Sequence, residues 1–588
     1  MTESPRSTSS CPAPMRRFAA TRLLRVFVFL LIAPAALAQH VDFRSMSDRA
    51  LLDHLRAHRA AVHDGAAMPG VALDGERHTE KCSIHLMAEL ARRGAAMAPA
   101  DREELRELLA PPFTQTSILS RSGRFRVHYD TTGRHTPAML DASNERIAGT
   151  YHEYADSVAA ALDHAFAMET GVAGFDDPPF SAGSGTNNVY LQEYNGGFYG
   201  ETFFPTPAPP SGTVMPTYLT YMQMDNDYRE FYSRGLNGAR VTAAHEFHHV
   251  IQLGRYGVWS GDIWMYEMTS TFFEEFVYPE VNDYFIYMKD FMNNTDRPIY
   301  AWGDDGYELS LWPMHLTRRY GPRIMRDIWE GMKQREAIVS MRDGLSVNGG
   351  DFSTDFCDWA RVNHATAWRS PEPARREYED APLLPSVKFH ASLEFIGGVA
   401  RINGMLQPLS SQYSRVARGL DTVSFVVSNV DIAAAMNRSG NAIAYEIEVR
   451  DNAPGVEGFQ PLSNGWYYRF TAAVSNVLCM QVLDSGAVAT TVERQVFPNP
   501  LLLKESSRLH FPLPRNTQSN RAELVIYTTS MNEVYRRADI PVELSDMMGA
   551  FVSWDVLADG ANVGSGVYFY VLTVGGERRV GKFAIIGG

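Results

Sequence analysis

The stretch Val241-Thr-Ala-Ala-His-Glu-Phe-His-His-Val-Ile-Gln-Leu-Gly254 places His245, Glu246 and His249 in the order H-E-x-x-H. On a helix, residues four apart project from one face. The two imidazoles can then hold one metal ion, and Glu246 between them can reach a water beside it. The flanks predict that helix: Asn237-Gly238 supplies an N-cap, Val241, Ala244, Val250 and Ile251 form an apolar side, and Gly254 stops it. The competing reading, a surface helix with solvated His and Glu side chains, leaves the small apolar pair Ala243-Ala244 unexplained. A neutral histidine pair beside a carboxylate on such a helix is costly unless something binds there. His248 adjoins His249, but ligation through it would displace Glu246 from its place, so it reads as a supporting or surface residue.

Working outward, 588 residues are enough for several domains, and 45% hydrophobic with 21% charged residues describes globular protein. A net charge of −14, with no basic block, disfavours a nucleic-acid partner. Arg16, Arg17, Arg22 and Arg25 precede the apolar run Val26–Ile32, and Ala36-Leu-Ala38 follows as a small-x-small cleavage pattern. Residues 1–38 therefore read as a signal peptide cut before Gln39, the run being short for an uncleaved membrane anchor; Met15 is an alternative start. Its removal takes five Arg and one Glu, so −14 becomes −18, and the expected location is secreted or cell-surface. No later stretch is long and apolar enough for a membrane helix. Cys11 leaves with the signal, so Cys82, Cys357 and Cys479 allow one intramolecular disulfide with one thiol left over.

Residues 39–118 are expected to be helical, from the spacing in Ser47–Leu55, His85–Ala91 and the segment opening at Ala100. They form either a removable pro-segment or a permanent cap. Cys82 reads as a structural thiol, or as a plug for a metal site until removal. A new unit begins near Leu119 and runs to 380. It has strands over 123–130, 188–194 and 217–224, and a long helix over 138–168 with Leu140, Ile147, Tyr151, Tyr154, Val158, Leu162 and Phe166 facing inward. The strand just before the motif helix is expected to border the cleft, where an extended peptide can add as another strand. Asp225-Asn226-Asp227 offers clustered oxygens for structural Ca²⁺, without the spacing of a calcium loop, and otherwise reads as a turn.

Beyond the motif, Glu267 is embedded among Trp264, Met265, Tyr266 and Met268 in an apolar helix. A carboxylate in such surroundings needs a cation or donors, and a metal ion already holding two histidines is an economical partner. A third histidine ligand of the metzincin kind would need Gly at 252 and His at 255, where Gln252 and Arg255 stand. Asp262 is a weaker candidate. Glu274, two turns beyond Glu267, is placed to orient a ligating histidine, and Glu275 points elsewhere.

Trp264-Met-Tyr-Glu267-Met-Thr-Ser270-Thr-Phe-Phe-Glu274 resembles the W-x-x-E-x-x-A/S-x-x-x-E segment of gluzincin zinc metallopeptidases. The Gly after the ligand Glu and a G-A-M-E-N-type motif are missing, so aminopeptidase specificity is not implied. With Asp225-Asn-Asp-Tyr228 and Val241–Gln252, residues 119–335 also resemble secreted bacterial metallopeptidases. The resemblance implies an α+β zincin-like metallopeptidase domain in which His245, His249 and Glu267 hold Zn²⁺. Glu246 acts as general base on the promoted water, and Tyr307 or, second, His315 is the oxyanion donor.

Helices are expected to continue to Arg369, followed by a Pro-containing linker at 370–382. Residues 385–490 and 494–588 read as two β-sandwich, immunoglobulin-like domains. The latter resembles a type IX secretion sorting domain through Phe497-Pro-Asn-Pro500, Trp554-Asp555 and Ser565-Gly-Val-Tyr-Phe-Tyr570, and similar sandwiches occur in flagellar hook-cap proteins. The resemblance implies secretion machinery as a partner; a passive stalk is the alternative. The expected function is a secreted zinc-dependent peptidase, endopeptidase in type, acting on peptide or protein. The alternative is a catalytically inactive protease-like surface protein that binds proteins or glycans through its β-domains.

Overall fold

The computed structural model describes residues 43–587, except 65–80, 196–197, 210–211, 303–305, 372–375, 419–420, 439, 486–495, 497–500, 504–506, 514–518, 530–531, 546–548, 559–562 and 576. Residues 1–38, expected to be a signal peptide, and Phe497-Pro-Asn-Pro500 lie outside the described residues. Three helices come first: α1 (Asp48–Asp64), α2 (Ile84–Gly94) and α3 (Pro99–Leu108). Ile84, Leu86, Met87 and Leu90 of α2 are buried, so this region packs as part of the fold.

A five-stranded sheet follows, built from β1 (Thr116–Leu119), β2 (Phe125–Tyr129), β3 (Asn187–Gln192), β4 (Gly200–Pro207) and β5 (Tyr218–Asp225) in the order β1-β2-β3-β5-β4. β2, β3 and β5 run parallel, and the two outer strands are antiparallel to their neighbours. The helix α4 (Tyr151–Phe166) makes the crossover from β2 to β3. It begins later than the sequence pattern suggests. In residues 138–150 the Asp141 carboxylate accepts from the N–H groups of Ser143 and Glu145, and Asn144 takes a positive φ of 64°. This local side-chain turn outcompetes helix, and it leaves Ile147 41% exposed instead of inward-facing.

The strand before the motif helix is likewise not at the border. β5 is internal, and β4, whose sequence carries no clear strand signal, forms the edge. Antiparallel β4 caps the parallel core of the sheet, with a register irregularity between Phe203 and Thr206.

The motif helix α5 (Leu236–Arg255) is buried on all sides from Val241 to Gly254, which makes it a central core helix without a solvent face. Its ends differ from expectation. Asn237 and Gly238 lie inside it, and a Cβ at Gly238 would sit 2.5 Å from Ser233 O and Tyr228 Cγ. Gly254 is also inside, leaving room for Pro179, and the helix stops at Tyr256-Gly257, where φ turns to +84°. α6 (Ile263–Val277) packs across α5. The helices α7 (Phe285–Asn293), α8 (Leu311–Tyr320), α9 (Arg323–Met332), α10 (Ala337–Val347) and α11 (Phe352–His364) complete the helical half. Trp329 of α9 is fully buried and closes this core against His248, Tyr256 and Tyr266.

The remaining chain is β-rich. β6 (Phe389–Glu394), β7 (Val399–Leu406), β8 (Ser410–Arg418), β9 (Asp421–Asn429), β10 (Ile443–Arg450), β11 (Gln460–Pro461), β12 (Tyr467–Ala472) and β13 (Leu478–Ser485) form two sheets, β11-β12-β10-β7 and β13-β9-β8-β6. Ile402, Ile447, Val423, Phe425 and Trp466 share the core between them. From residue 501 onward come a five-stranded and a three-stranded sheet around Leu524, Trp554 and Phe583. The whole is a mixed α/β architecture with five sheets among the described residues.

Cys357 of α11 and Cys479 of β13 form a disulfide, leaving Cys82 free and buried. The bridge closes a span of 122 residues and ties the helical half to the first β-rich layer. Constraining a loop of this length in the unfolded chain is worth about 5 kcal/mol in the chain-entropy account, of which about 2–4 kcal/mol is typically delivered. A Cys357→Ala/Cys479→Ala double variant should therefore unfold at lower denaturant by that amount in an equilibrium melt, without a change in metal content.

Candidate metal centre

The crossing of α5 and α6 brings together side chains that the sequence separates. His245 Nε2 and His249 Nε2 lie 3.1 Å apart, and Glu267 Oε2 is 3.2 Å from the first and 3.4 Å from the second. Cys82, two residues before α2, adds its Sγ at 3.0 Å from Glu267 Oε1 and 3.4 Å from His249 Nε2. All four residues are buried, and their ligand atoms lie within 4.8 Å of one another. Among the described residues this is the one group with metal-ligand spacing.

Tetrahedral zinc, with N or O at about 2.0–2.1 Å and S at about 2.3 Å, sets its ligand atoms about 3.3–3.8 Å apart. The observed separations, 3.0–3.4 Å, lie at the lower end of that range or slightly below it. Glu267 Oε2 lies near both imidazoles yet has no aligned hydrogen-bond partner, as expected of atoms that converge on a shared point rather than on each other. A donor set of thiol, two imidazoles and one carboxylate suits zinc better than calcium or magnesium.

The opposite nitrogen of each imidazole is held. His245 Nδ1 is 2.7 Å from Glu274 Oε1; His249 Nδ1 is 2.6 Å from Gln252 Oε1 and 3.1 Å from Ser270 Oγ. Gln252 is fixed in turn by donating to Tyr266 O and Thr269 Oγ1, each at 3.0 Å. These contacts leave both Nε2 atoms for the shared point. Lys81, 1% exposed, forms ion pairs with Glu274 and Asp283, so the carboxylate that orients His245 is itself anchored by a buried cation.

Glu246 lies on the same helix. Its Oε2 accepts from Thr202 Oγ1 at 2.7 Å, while its buried Oε1 has no hydrogen-bond partner among the described residues. Gly200 makes this contact with β4 possible, since a Cβ there would meet Thr242 Cγ2 at 2.7 Å and Glu246 Cγ at 3.0 Å. Burial pushes the Glu246 carboxyl up to about 7, although the two histidines and Thr202 pull the other way. Burial would lower His245, but the Glu267 and Glu274 carboxylates beside it outweigh that and raise the imidazole to about 9. Glu267 is also disfavoured as an anion by burial, yet the His249 and His245 imidazoles beside it hold it well below its ordinary range. Burial, with the Glu267 and Glu246 carboxylates, pushes the Cys82 thiol well above its ordinary range. A divalent cation among these groups would displace the His245 proton and favour every anionic form.

The other residues singled out in the sequence fall as follows. The Tyr307 hydroxyl borders the cluster and accepts the Lys81 N–H at 3.3 Å, and the tyrosine ring lies 6.1 Å from that of His245. His315 is in α8, stacked near Trp312 with ring centroids 6.0 Å apart; burial lowers it to about 4, and no described contact joins it to His245, His249 or Glu267. Asp262 accepts from Ala337 N at 2.9 Å and pairs with Arg438, away from the cluster. Asp225-Asn226-Asp227 is a turn. Asp225 accepts the N–H groups of Tyr194, Asp227 and Tyr228, Asp227 pairs with Arg146, and no described metal-ligand group includes them. The Asp225 and Asp227 carboxylates are engaged by protein donors, and only Asn226 Oδ1 is without one among the described residues, which does not favour calcium there.

His248 is neither at the surface nor part of the cluster. Its Nδ1 is 2.8 Å from Glu169 Oε2, in the π-turn after α4. Burial lowers His248 well below, and raises Glu169 well above, the usual range, so the pair is held neutral.

No protein-family model matches the chain. No curated protein matches it either. A solved structure, that of neural ectodermal development factor IMP-L2, is 11% identical over 33% of this chain and 89% of its own, with a TM-score of 0.10, and carries no argument. Among the described residues, no helix is long and apolar enough to cross a membrane.

Thr202, Gln252, Ser270 and Lys81 are supporting residues that sequence reading did not assign. Gln252 and Ser270 stood at fixed positions of the matched segments and Lys81 beside Cys82, while Thr202 had no signal. Glu275, on the side of α6 away from the cluster, faces Asp380 and Glu379, and burial with these charges raises it to about 9. In the unfolded chain its value is 4.5, so the native state binds the extra proton between 4.5 and about 9, and stability falls as pH rises through that window. Glu275→Gln should melt like wild type at pH 4 and be more stable by about 1–2 kcal/mol at pH 8, after allowance for solvent screening.

Proposed function

We propose that this chain is a secreted zinc-dependent peptidase, with residues 119–380 as a zincin-like catalytic unit. The observation that carries the reading is the convergence of His245 Nε2, His249 Nε2 and Glu267 Oε2 within 3.1–3.4 Å, with Glu246 on the same helix. His245, His249 and Glu267 are the protein ligands. Zinc held there supplies Lewis acidity and makes water a nucleophile near neutral pH.

The chain's own groups supply the rest. Glu246, near 7 through burial, takes the proton from the attacking water and delivers it to the leaving amine. Thr202 holds one Glu246 oxygen, so the other is directed toward the reacting water. β4 is the edge strand on which an extended peptide would add, and Tyr307 borders the cluster as the donor to the developing oxyanion. Export rests on residues 1–38 and on the sorting-like pattern within 494–588, whose sandwich we take as immunoglobulin-like. Elemental analysis by plasma mass spectrometry should find about one zinc per chain, lost in a His245→Ala/His249→Ala variant. Protein purified without chelators and free of metal would refute the proposal.

A further inference from the structure

We propose that Cys82 is a fourth ligand that closes the metal centre, and that the segment carrying it holds the full chain latent until a cut after α3 releases it. The inference rests on the peptidase reading and concerns the regulation of that site.

Three independent placements support it. Cys82 Sγ lies within ligand spacing of His249 and Glu267, so a metal held there would have the thiol as a fourth protein ligand in place of an open position. Lys81 O accepts the N–H groups of Tyr199 at 3.1 Å and Gly200 at 3.2 Å, so the segment lies against the start of the edge strand that a peptide substrate would use. The Lys81 N–H donates to the Tyr307 hydroxyl oxygen, so the segment lies directly beside the proposed oxyanion donor, while the Lys81 ammonium is sealed between Glu274 and Asp283. Consecutive residues of one segment thus reach the ligand cluster, the start of the edge strand and the Tyr307 hydroxyl. Glu246 Oε1, fully buried and unpartnered among the described residues, lies in the same enclosure.

The segment is tethered by an accessible joint. Residues 111–114 between α3 and β1 have no regular structure, and Phe113 is 93% exposed. The catalytic sheet is anchored immediately after it, where Gln115 N donates to Asp130 Oδ1 at 2.9 Å. Hydrolysis of one peptide bond here, with water adding across the broken C–N bond, would separate α1–α3 and Cys82 from the sheet without cutting an element of it. Loss of the covalent link removes the high local concentration that favours the plugged state.

The test uses full-length protein loaded with cobalt or zinc, carrying a specific protease recognition sequence inserted between Pro112 and Phe113. Cobalt-loaded, uncut protein should show a near-ultraviolet thiolate-to-cobalt charge-transfer band, and Cys82→Ser should lose that band while keeping its cobalt. The zinc-loaded protein should gain about tenfold or more in hydrolysis of a peptide library once cut and freed of the N-terminal segment. Metal bound without the band in wild type, or equal activity before and after cutting, overturns the proposal. If the band is present but the trimmed, metal-loaded chain hydrolyses nothing, latency and the peptidase reading both fail while Cys82 ligation stands.

Discussion

Glu246→Gln is expected to keep about one zinc per chain and to lose peptide hydrolysis by roughly a hundred- to ten-thousand-fold. The substitution is nearly isosteric. The amide oxygen can still accept from Thr202, and the close passage of Gly200 over the helix is unaffected. Only the capacity to take up a proton is removed. In the metal-free chain the stability change should go the other way. The carboxyl is raised from 4.5 to about 7, so the folded state loses stability as pH rises through that interval, and glutamine removes the loss. A metal-free melt at pH 8 should therefore show the variant equal to or more stable than wild type. Activity near wild type with full zinc would dismiss Glu246 as the base.

Glu274→Gln acts one step from the metal and should be visible in two measurements. It replaces the carboxylate that holds His245 Nδ1 at 2.7 Å, so a chelator competition should show zinc affinity lower by about 10–100-fold. It also removes one of two anions around buried Lys81. Breaking such a pair costs up to about 3–5 kcal/mol, moderated here because Asp283 remains. A denaturant melt should report that loss separately from zinc affinity. Unchanged affinity would mean that His245 does not need this orientation to bind metal.

Much of the site was legible because it is written in local spacing. His245 and His249 are four apart on one helix, and Glu267 stands out as a carboxylate in an apolar run. Both signals survive without knowing the chain path. Glu274 followed from the same logic, two turns on. Tyr307 and His315 show the limit: they lie eight residues apart in one stretch, and only the packing of α8 sends His315 toward Trp312 while Tyr307 borders the cluster. The edge strand β4 was missed because its strand identity depends on pairing with β5 across a register irregularity, not on alternation within itself. The helix expected over 138–168 was too long because side-chain turns at Asp141 and Asn144 are invisible to a periodicity count.

The sequence by itself determined a two-histidine helix with a carboxylate partner, because helical spacing and the cost of an unpaired buried charge are properties of short segments. It also limited the disulfide to one bond among three cysteines. The tertiary structure decided which bond, joining Cys357 to Cys479 and leaving Cys82 beside His245, His249 and Glu267 in a group that could hold a metal ion. Cys82 is 163 residues from His245 and 185 from Glu267, and no local pattern connects points so far apart. Their meeting depends on α2 packing against the edge strand and on the Lys81 backbone lying against its start. The H-E-x-x-H stretch is thus a ligand pair in sequence, and in three dimensions the floor of a four-ligand enclosure.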